Sequence, residues 1–335
     1  MTADVDRALL AWPLMVSLIT TFGTAGFVLL SAGDRVFDFR TAAASLLTLW
    51  RVLAGVIFLA SLLVLLNVTA DMGSVSWTSA VALVPEVLIE THAGHVFEWF
   101  LPIALVCLLS ACVPLPQSVR TTALFLLAGA LLLLQALLSH AIDKGTFAVT
   151  IYFLHEASVG LWTGALLALW MITWYGDPPD IWVEHAARRV SRVALWSVIA
   201  LVITGTYTAY NGLGLDMYHL LFSAYGRTLV TKVIVFTGVM AIGAYNRYWL
   251  VPNVADTATC DALLRNVCVE SVILLVAVAG LATLLANTPP AHGMGGHAGH
   301  AMMAMISAAP PGALRQWPSW RKAVAAFIRR TLCLG

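Results

Sequence analysis

Residues 292–305 read His-Gly-Met-Gly-Gly-His-Ala-Gly-His-Ala-Met-Met-Ala-Met, stringing His292, Met294, His297, His300, Met302, Met303 and Met305 on glycine and alanine. Such a tract has too little bulk to pack a core. Its loose backbone lets several imidazoles and thioethers converge on one ion. Imidazole suits copper, zinc, iron or nickel, whereas thioether sulfur selects the softer Cu(I), so methionine beside histidine narrows the metal to copper, as Cu(I) or Cu(II). The bland alternative is a low-complexity tail of no consequence.

Further histidines stand at the edges of apolar runs. Glu90-Thr91-His92-Ala93-Gly94-His95 places two imidazoles three residues apart, on one helical face and close enough to share an ion. His140 ends a run within Ser139-His140-Ala141, and His155 lies about two turns inside the next run, beside Glu156. An ionisable side chain there is costly unless paired or hydrated, which makes it a functional candidate by default. His155 reads either as a ligand, to copper or axially to a b-type haem, or as a satisfied structural histidine. His219, in a loop beside Asp216 and Tyr218, is a further candidate.

Charges in the apolar runs divide by reach. Arg51, Arg192, Arg227, Lys232 and Arg247 lie near run ends, where long side chains snorkel, so they read first as interfacial anchors. Glu270 is too short for that and is expected to face an arginine or a wet cavity. Glu156, Glu270, Arg227 and Lys232 form the set considered for ion passage or structural charge. Trp162, Trp170, Trp174 and Trp182 read as packing and interfacial belt. No Ser-His-Asp set, GxGxxG, P-loop or HExxH occurs, so the chain reads as a non-enzyme.

The elements that must carry these residues follow from composition. Of 335 residues, 60% are hydrophobic and 10% charged, against roughly 25% charged in an ordinary soluble domain. With a mean hydropathy of +0.88, this excludes a soluble enzyme and a disordered chain. Most of the surface must face a lipid bilayer. A net charge of +1 leaves no footprint for nucleic acid. Cys107, Cys112, Cys260, Cys268 and Cys333 form no CxxC pair or evident disulfide framework. The N-terminus lacks the basic region and cleavage site of a signal peptide, so the first apolar run is expected to be retained.

Apolar runs of about 20 residues, the length that spans a bilayer, fall near 12–32, 46–68, 93–113, 121–141, 148–175, 190–211, 225–250 and 266–287. They lack the alternation of barrel strands, so the fold class is all-α: a polytopic membrane bundle of about eight transmembrane helices. A parallel repeat of four helices is indicated, because Trp50-Arg51 and Ser191-Arg192 open spans two and six. Asp71-Met72 and Asp216-Met217 follow them, and Ala93-Gly94-His95 then corresponds to Tyr225-Gly226-Arg227. The expected division is 1–145 and 146–290 for the two halves, and 291–335 for the His/Met-rich and basic tail.

Arginine and lysine set the orientation. Arg35, Arg40, Arg51, Arg120, Arg188, Arg189, Arg192, Arg247 and Arg265 fall on one side, against Arg7, Lys144, Arg227 and Lys232 on the other. The richer side is cytoplasmic by the positive-inside rule, which puts both termini in the periplasm. The tail's basic residues lie beyond the ~15–20 residues over which the rule acts. All histidines but His185 then fall at or near the outer face.

Leu154-His155-Glu156, Gly160-Leu161-Trp162-Thr163-Gly164, Thr204-Gly205, Tyr225-Gly226-Arg227-Thr228-Leu229-Val230-Thr231-Lys232, Asn246-Arg247 and Glu270 resemble the copper-resistance protein D family (CopD, PcoD) of polytopic inner-membrane proteins. Ser139-His140-Ala141 resembles that family's small-His-Ala element. The resemblance covers 140–290 well and the first half more loosely, and His92 and His95 depart from the family pattern. It implies copper homeostasis beside a periplasmic copper carrier of the CopC type, with copper movement across the inner membrane. The expected path runs from the tail to a site of His92, His95, His140 and His155. The rival readings are a haem-binding redox protein and a copper-delivery partner that does not transport.

Overall fold

The structure, a computed structural model, describes residues 2–31, 43–176, 180–213, 217–254 and 256–288. The 292–305 tract, Asp216 and the basic tail lie outside the described residues. Only helices occur among those described: α1 (Thr2–Ser31), α2 (Ala43–Gly73), α3 (Trp77–Glu90), α4 (His92–Cys112), α5 (Gln117–Leu138), α6 (Thr146–Gly176), α7 (Asp180–Leu213), α8 (Met217–Phe222), α9 (Ala224–Tyr245), α10 (Thr257–Val272) and α11 (Ala279–Asn287). Two π-helical segments, Asn246–Leu250 and Ile273–Val278, extend α9 and join α10 to α11. Eight stretches are long and apolar enough to cross a membrane, as the hydropathy pattern predicts.

The first and last spans start earlier than their apolar runs. Arg7 on the polar first turns of α1 pairs with Asp71 of α2 at 2.8 Å. The last span opens at Asp256, whose carboxylate accepts from the Thr259 amide at 3.0 Å and its hydroxyl at 2.8 Å, an N-cap in a polar stretch that hydropathy passes over. Helix α3 falls outside the apolar runs, because its 14 residues mix Ser, Pro and Glu with apolar side chains. It packs on α2 and α4.

Helix α1 is the hub, packed against α2, α5, α6 and α11. Its closest approach is to α6, and glycine makes it possible. A Cβ built on Gly23 would fall on the Gly160 carbonyl, and one on Gly164 would fall on the Gly23 and Thr24 backbone. Gly160 and Gly164, four residues apart, form the small-residue stripe by which membrane helices approach closely. Hydrogen bonds supply specificity in the same core. The Trp50 indole donates to Thr24 Oγ1 at 2.9 Å, and Thr24 donates onward to the Thr20 carbonyl at 2.7 Å.

Arg51, one of the expected interfacial anchors, and Arg120 both bond to the end of α4. Arg51 Nε donates to the Ala111 carbonyl at 3.3 Å, and Arg120, 7% exposed, donates to the Val113 carbonyl at 3.1 Å. Together they satisfy carbonyls that the end of α4 leaves without helical partners. The tryptophan stripe matches its packing role in part: Trp170 stacks on Trp174, while Trp162 is buried at the head of a polar network described below.

Helices α4 and α9 start alike. Thr91 Oγ1 accepts from the Gly94 amide at 2.9 Å, and Ser223 Oγ accepts from the Gly226 amide at 2.9 Å. Each follows a short helix, α3 or α8.

Candidate metal-transit site

Among the described residues, His92, His95, His140 and His219 lie toward one end of the bundle, with His185 toward the other. His92 opens α4 and its Nε2–H donates to the Leu137 carbonyl at the end of α5, at 3.1 Å. His140 follows two residues after that helix ends and is exposed. The α5–α6 connection is tied to the end of α7 by Lys144, which donates to the Asn211 carbonyl. The side chain of His219 lies outside the described residues.

The expected four-histidine site is not gathered in this structure. Among the described residues, no group of three or more His, Cys, Asp or Glu side chains stands close enough to hold an ion. His92 is engaged with α5, and His95 faces Glu98 one turn on, Nδ1 to Oε2 at 3.5 Å. The two imidazoles thus have separate partners, one on α5 and one on α4.

His155 stands apart from them, inside the bundle. It lies about 14 Å along α6 from Thr146 at 1.5 Å per residue. Thr204 on α7 and Lys232 on α9 sit at similar depths, about 14 Å and 12 Å from the same end. His155 Nδ1 is 2.9 Å from Thr204 Oγ1, and the Thr204 hydroxyl donates to the Ala200 carbonyl at 2.7 Å. That hydroxyl has one proton, already committed to the backbone, so the imidazole must be the donor. Its proton therefore sits on Nδ1, and Nε2 presents a lone pair. This is the usual arrangement of a metal-binding histidine, oriented by a hydrogen bond from its other nitrogen. Gly205 lies beside the ring, where a Cβ would stand 3.4 Å from His155 Cε1, an ordinary contact.

Glu156, next on the chain, is 3% exposed, and neither carboxyl oxygen has a well-formed hydrogen bond. Tyr152 and Lys232 are the polar groups that act on it, and Lys232 also acts on His155. Lys232, half-buried about two turns into α9, is deeper than the interfacial place its sequence position suggests and lies within electrostatic reach of Glu156 and His155. Arg227 is exposed in the first turn of α9. Tyr225 stands near Tyr152, with its hydroxyl where a Cβ on Gly212 would fall. Tyr152, His155 and Glu156 follow the i, i+3, i+4 rule for one helical face, and Tyr225 and Lys232 lie two turns apart on α9. Those spacings carried the signal for the tyrosines and the lysine.

Glu270 faces neither the arginine nor the ion pair considered for it. It accepts from Trp162 Nε1 at 2.9 Å and from Asn246 Nδ2 at 3.1 Å, and Arg247 instead donates to the Ser191 carbonyl and hydroxyl at 2.9 and 2.8 Å. A cavity does adjoin it.

Residues 184–285 match the family model for copper resistance protein D, and residues 2–148 match that for the copper resistance protein D-like N-terminal domain. The first half, which the motifs resembled only loosely, therefore has a match of its own. Thr204, Arg227, Lys232, Asn246 and Glu270 lie within the matched stretches, while His155 and Glu156 fall between them. Copper transport protein CutJ of Bacillus subtilis (strain 168) is 28% identical over 211 residues, covering 58% of this chain and 38% of that protein. The similarity thus spans well under half of that relative's length. No solved structure matches. With eight candidate spans and both parts of one family matched along most of its length, the chain belongs to the copper resistance protein D family of multi-pass membrane proteins.

Proposed function

We propose that this protein binds copper and carries it across the bacterial inner membrane. The observation that carries the reading is the oriented imidazole of His155, whose Nε2 lone pair stands inside the bilayer-spanning bundle beside a buried carboxylate. Copper is the cargo. The imidazole fits it as a nitrogen donor, while the thioethers of 292–305 add the soft sulfur that favours Cu(I). The tract gathers the ion outside and delivers it to the histidine end of the bundle, where His92, His95 and His140 offer stations on the way to His155. A periplasmic carrier of the CopC type is the expected donor. The paired starts of α4 and α9 support a division into two four-span halves, 1–145 and 146–290, followed by the tail 291–335.

Purified protein in sealed vesicles tests the reading. Copper accumulation inside supports transport, whereas copper bound to the protein with none crossing leaves a delivery role without transport. Deleting 292–305 is expected to weaken acquisition at low copper and leave transport at saturating copper unchanged. Equal loss at every copper concentration refutes that division of labour. A periplasm-active reporter fused after Gly335 is expected to be active, because eight crossings with the arginine-rich loops inside place both termini outside. Activity of a cytoplasm-only reporter at that fusion overturns the orientation.

A further inference from the structure

A second polar site lies away from His155, and its chemistry differs. Glu270 is 1% exposed near the middle of the last span, Thr257–Asn287. Both carboxyl oxygens accept from neutral donors, Trp162 on α6 and Asn246 at the start of the first π segment. The Asn246 carbonyl is itself occupied, accepting from Asn266 Nδ2 at 2.9 Å. Gly243 of α9 lies beside the carboxyl, its built Cβ 3.4 Å from Glu270 Oε1.

A cavity of about 180 Å³ opens onto this carboxyl, with room for several waters. Ser191 of α7, and Arg247 and Tyr248 of the π segment, also line it. Arg247 and Tyr248 are the other titratable groups on its wall, and α6 and α7 contribute only Trp162 and Ser191 as polar side chains.

The N–H bonds from Trp162 and Asn246 offset part of the cost of a charged carboxylate here, but burial without a cation still costs several kcal/mol and outweighs them. If Glu270 were an anion here, Arg247 on the wall of the same cavity would be drawn to it, yet its guanidinium is held by Ser191. A metal ion fits no better. The groups turned toward Glu270 are N–H donors, and the nearby side-chain acceptors, Asn246 Oδ1 and Ser191 Oγ, are already engaged. The cation that suits the site is a proton, held as a carboxyl O–H whose acceptor is water in the adjoining cavity, since the neighbouring side-chain acceptors are taken.

We propose that Glu270 is a proton-binding site: a neutral acid while Arg247 rests on Ser191, which releases its proton to water in the cavity and then draws Arg247 toward the carboxylate. The π segments Asn246–Leu250 and Ile273–Val278 bracket the network, at positions where the helical hydrogen-bond ladder is interrupted. The Leu275 carbonyl in the second segment is taken by the Trp12 indole at 3.0 Å, which shows how side chains satisfy the backbone there. This site does not depend on the copper reading, and its test uses no copper.

Infrared difference spectra of the full chain in lipid nanodiscs, between acid and alkaline pH, read it directly. A carboxylic-acid C=O band that disappears on alkalinisation is expected in the parent protein and absent in E270Q. A second variant, W162F, keeps the carboxyl but removes the donor to Oε1, so the same band should persist at a shifted frequency. W162F decides the matter should E270Q fail to fold. A titrating band unchanged in both variants, or no titrating carboxyl band in the parent, overturns the proposal.

Discussion

Replacing Gly164 with leucine is expected to abolish folding of the bundle, whereas the same change at Gly55 leaves it intact. At Gly164 the first side-chain carbon alone falls on the backbone of Gly23 and Thr24. Backbone cannot rotate aside as a side chain can, so α1 and α6 must separate. Separation breaks up the hub: Phe22 loses its stack on Phe125, 4.7 Å between ring centres, and Thr24 is pulled from the Trp50 indole. Overpacking a core typically costs about 1–3 kcal/mol. A clash of two helix backbones across the most extensively packed helix pair should exceed that range. Gly55 has nothing within 4 Å of a built Cβ, so leucine there should change stability by no more than about 0.5 kcal/mol. The yield of monodisperse protein after extraction, and its Tm, separate the two. A Gly164→Leu protein with the Tm of its parent would show that the α1–α6 contact is not packed as described.

That contact illustrates which parts of the molecule the sequence makes legible. Hydropathy reveals all eight spans, because each must present apolar surface for about 20 residues whatever it packs against. It misses the polar turns at Thr2–Arg7 and Asp256–Arg265, which continue helices through hydrogen bonds and caps rather than through apolar runs, and it misses the mixed sequence of α3. The site divides in the same way. His155 and Glu156 are visible because ionisable residues inside an apolar run are rare. Thr204 carries no such mark: what matters is that its hydroxyl proton is committed to Ala200, a fact of helix geometry, and that a histidine 49 positions away meets it. Lys232 misleads for a related reason. Distance from a run end suggests snorkelling, but Lys232 is half-buried two turns into α9, within electrostatic reach of His155 and Glu156. For Glu270 the need for a partner is legible and its identity is not, since Trp162 and Asn246 are ordinary residues until α6 and α9 bring them to the carboxyl.

His155 carries the second large expectation. In protein lacking 292–305, so that the tract's own ligands do not mask the result, His155→Ala is expected to lower copper affinity more than about 100-fold, beyond the 10–100-fold typical of losing an outer partner. Thr204→Val should fall inside that 10–100-fold range, because it keeps the imidazole and removes only the acceptor that fixes its proton on Nδ1. Thr204→Val loses both the bond from His155 and its own to Ala200 and leaves an imidazole N–H unpaired, which should lower stability by about 1–3 kcal/mol, whereas folding should change little in His155→Ala. Thr204 still donates to Ala200 when the imidazole is absent, so what is lost is one hydrogen bond, about 1 kcal/mol. A purely structural histidine predicts the opposite pattern, a lower folded yield with copper per folded molecule unchanged. His155→Met separates the readings again: a thioether restores a soft ligand without restoring the bond to Thr204, so it should recover part of the Cu(I) binding. If the tail-deleted His155→Ala protein binds copper with the stoichiometry and affinity of its tail-deleted parent, His155 is not the intramembrane ligand.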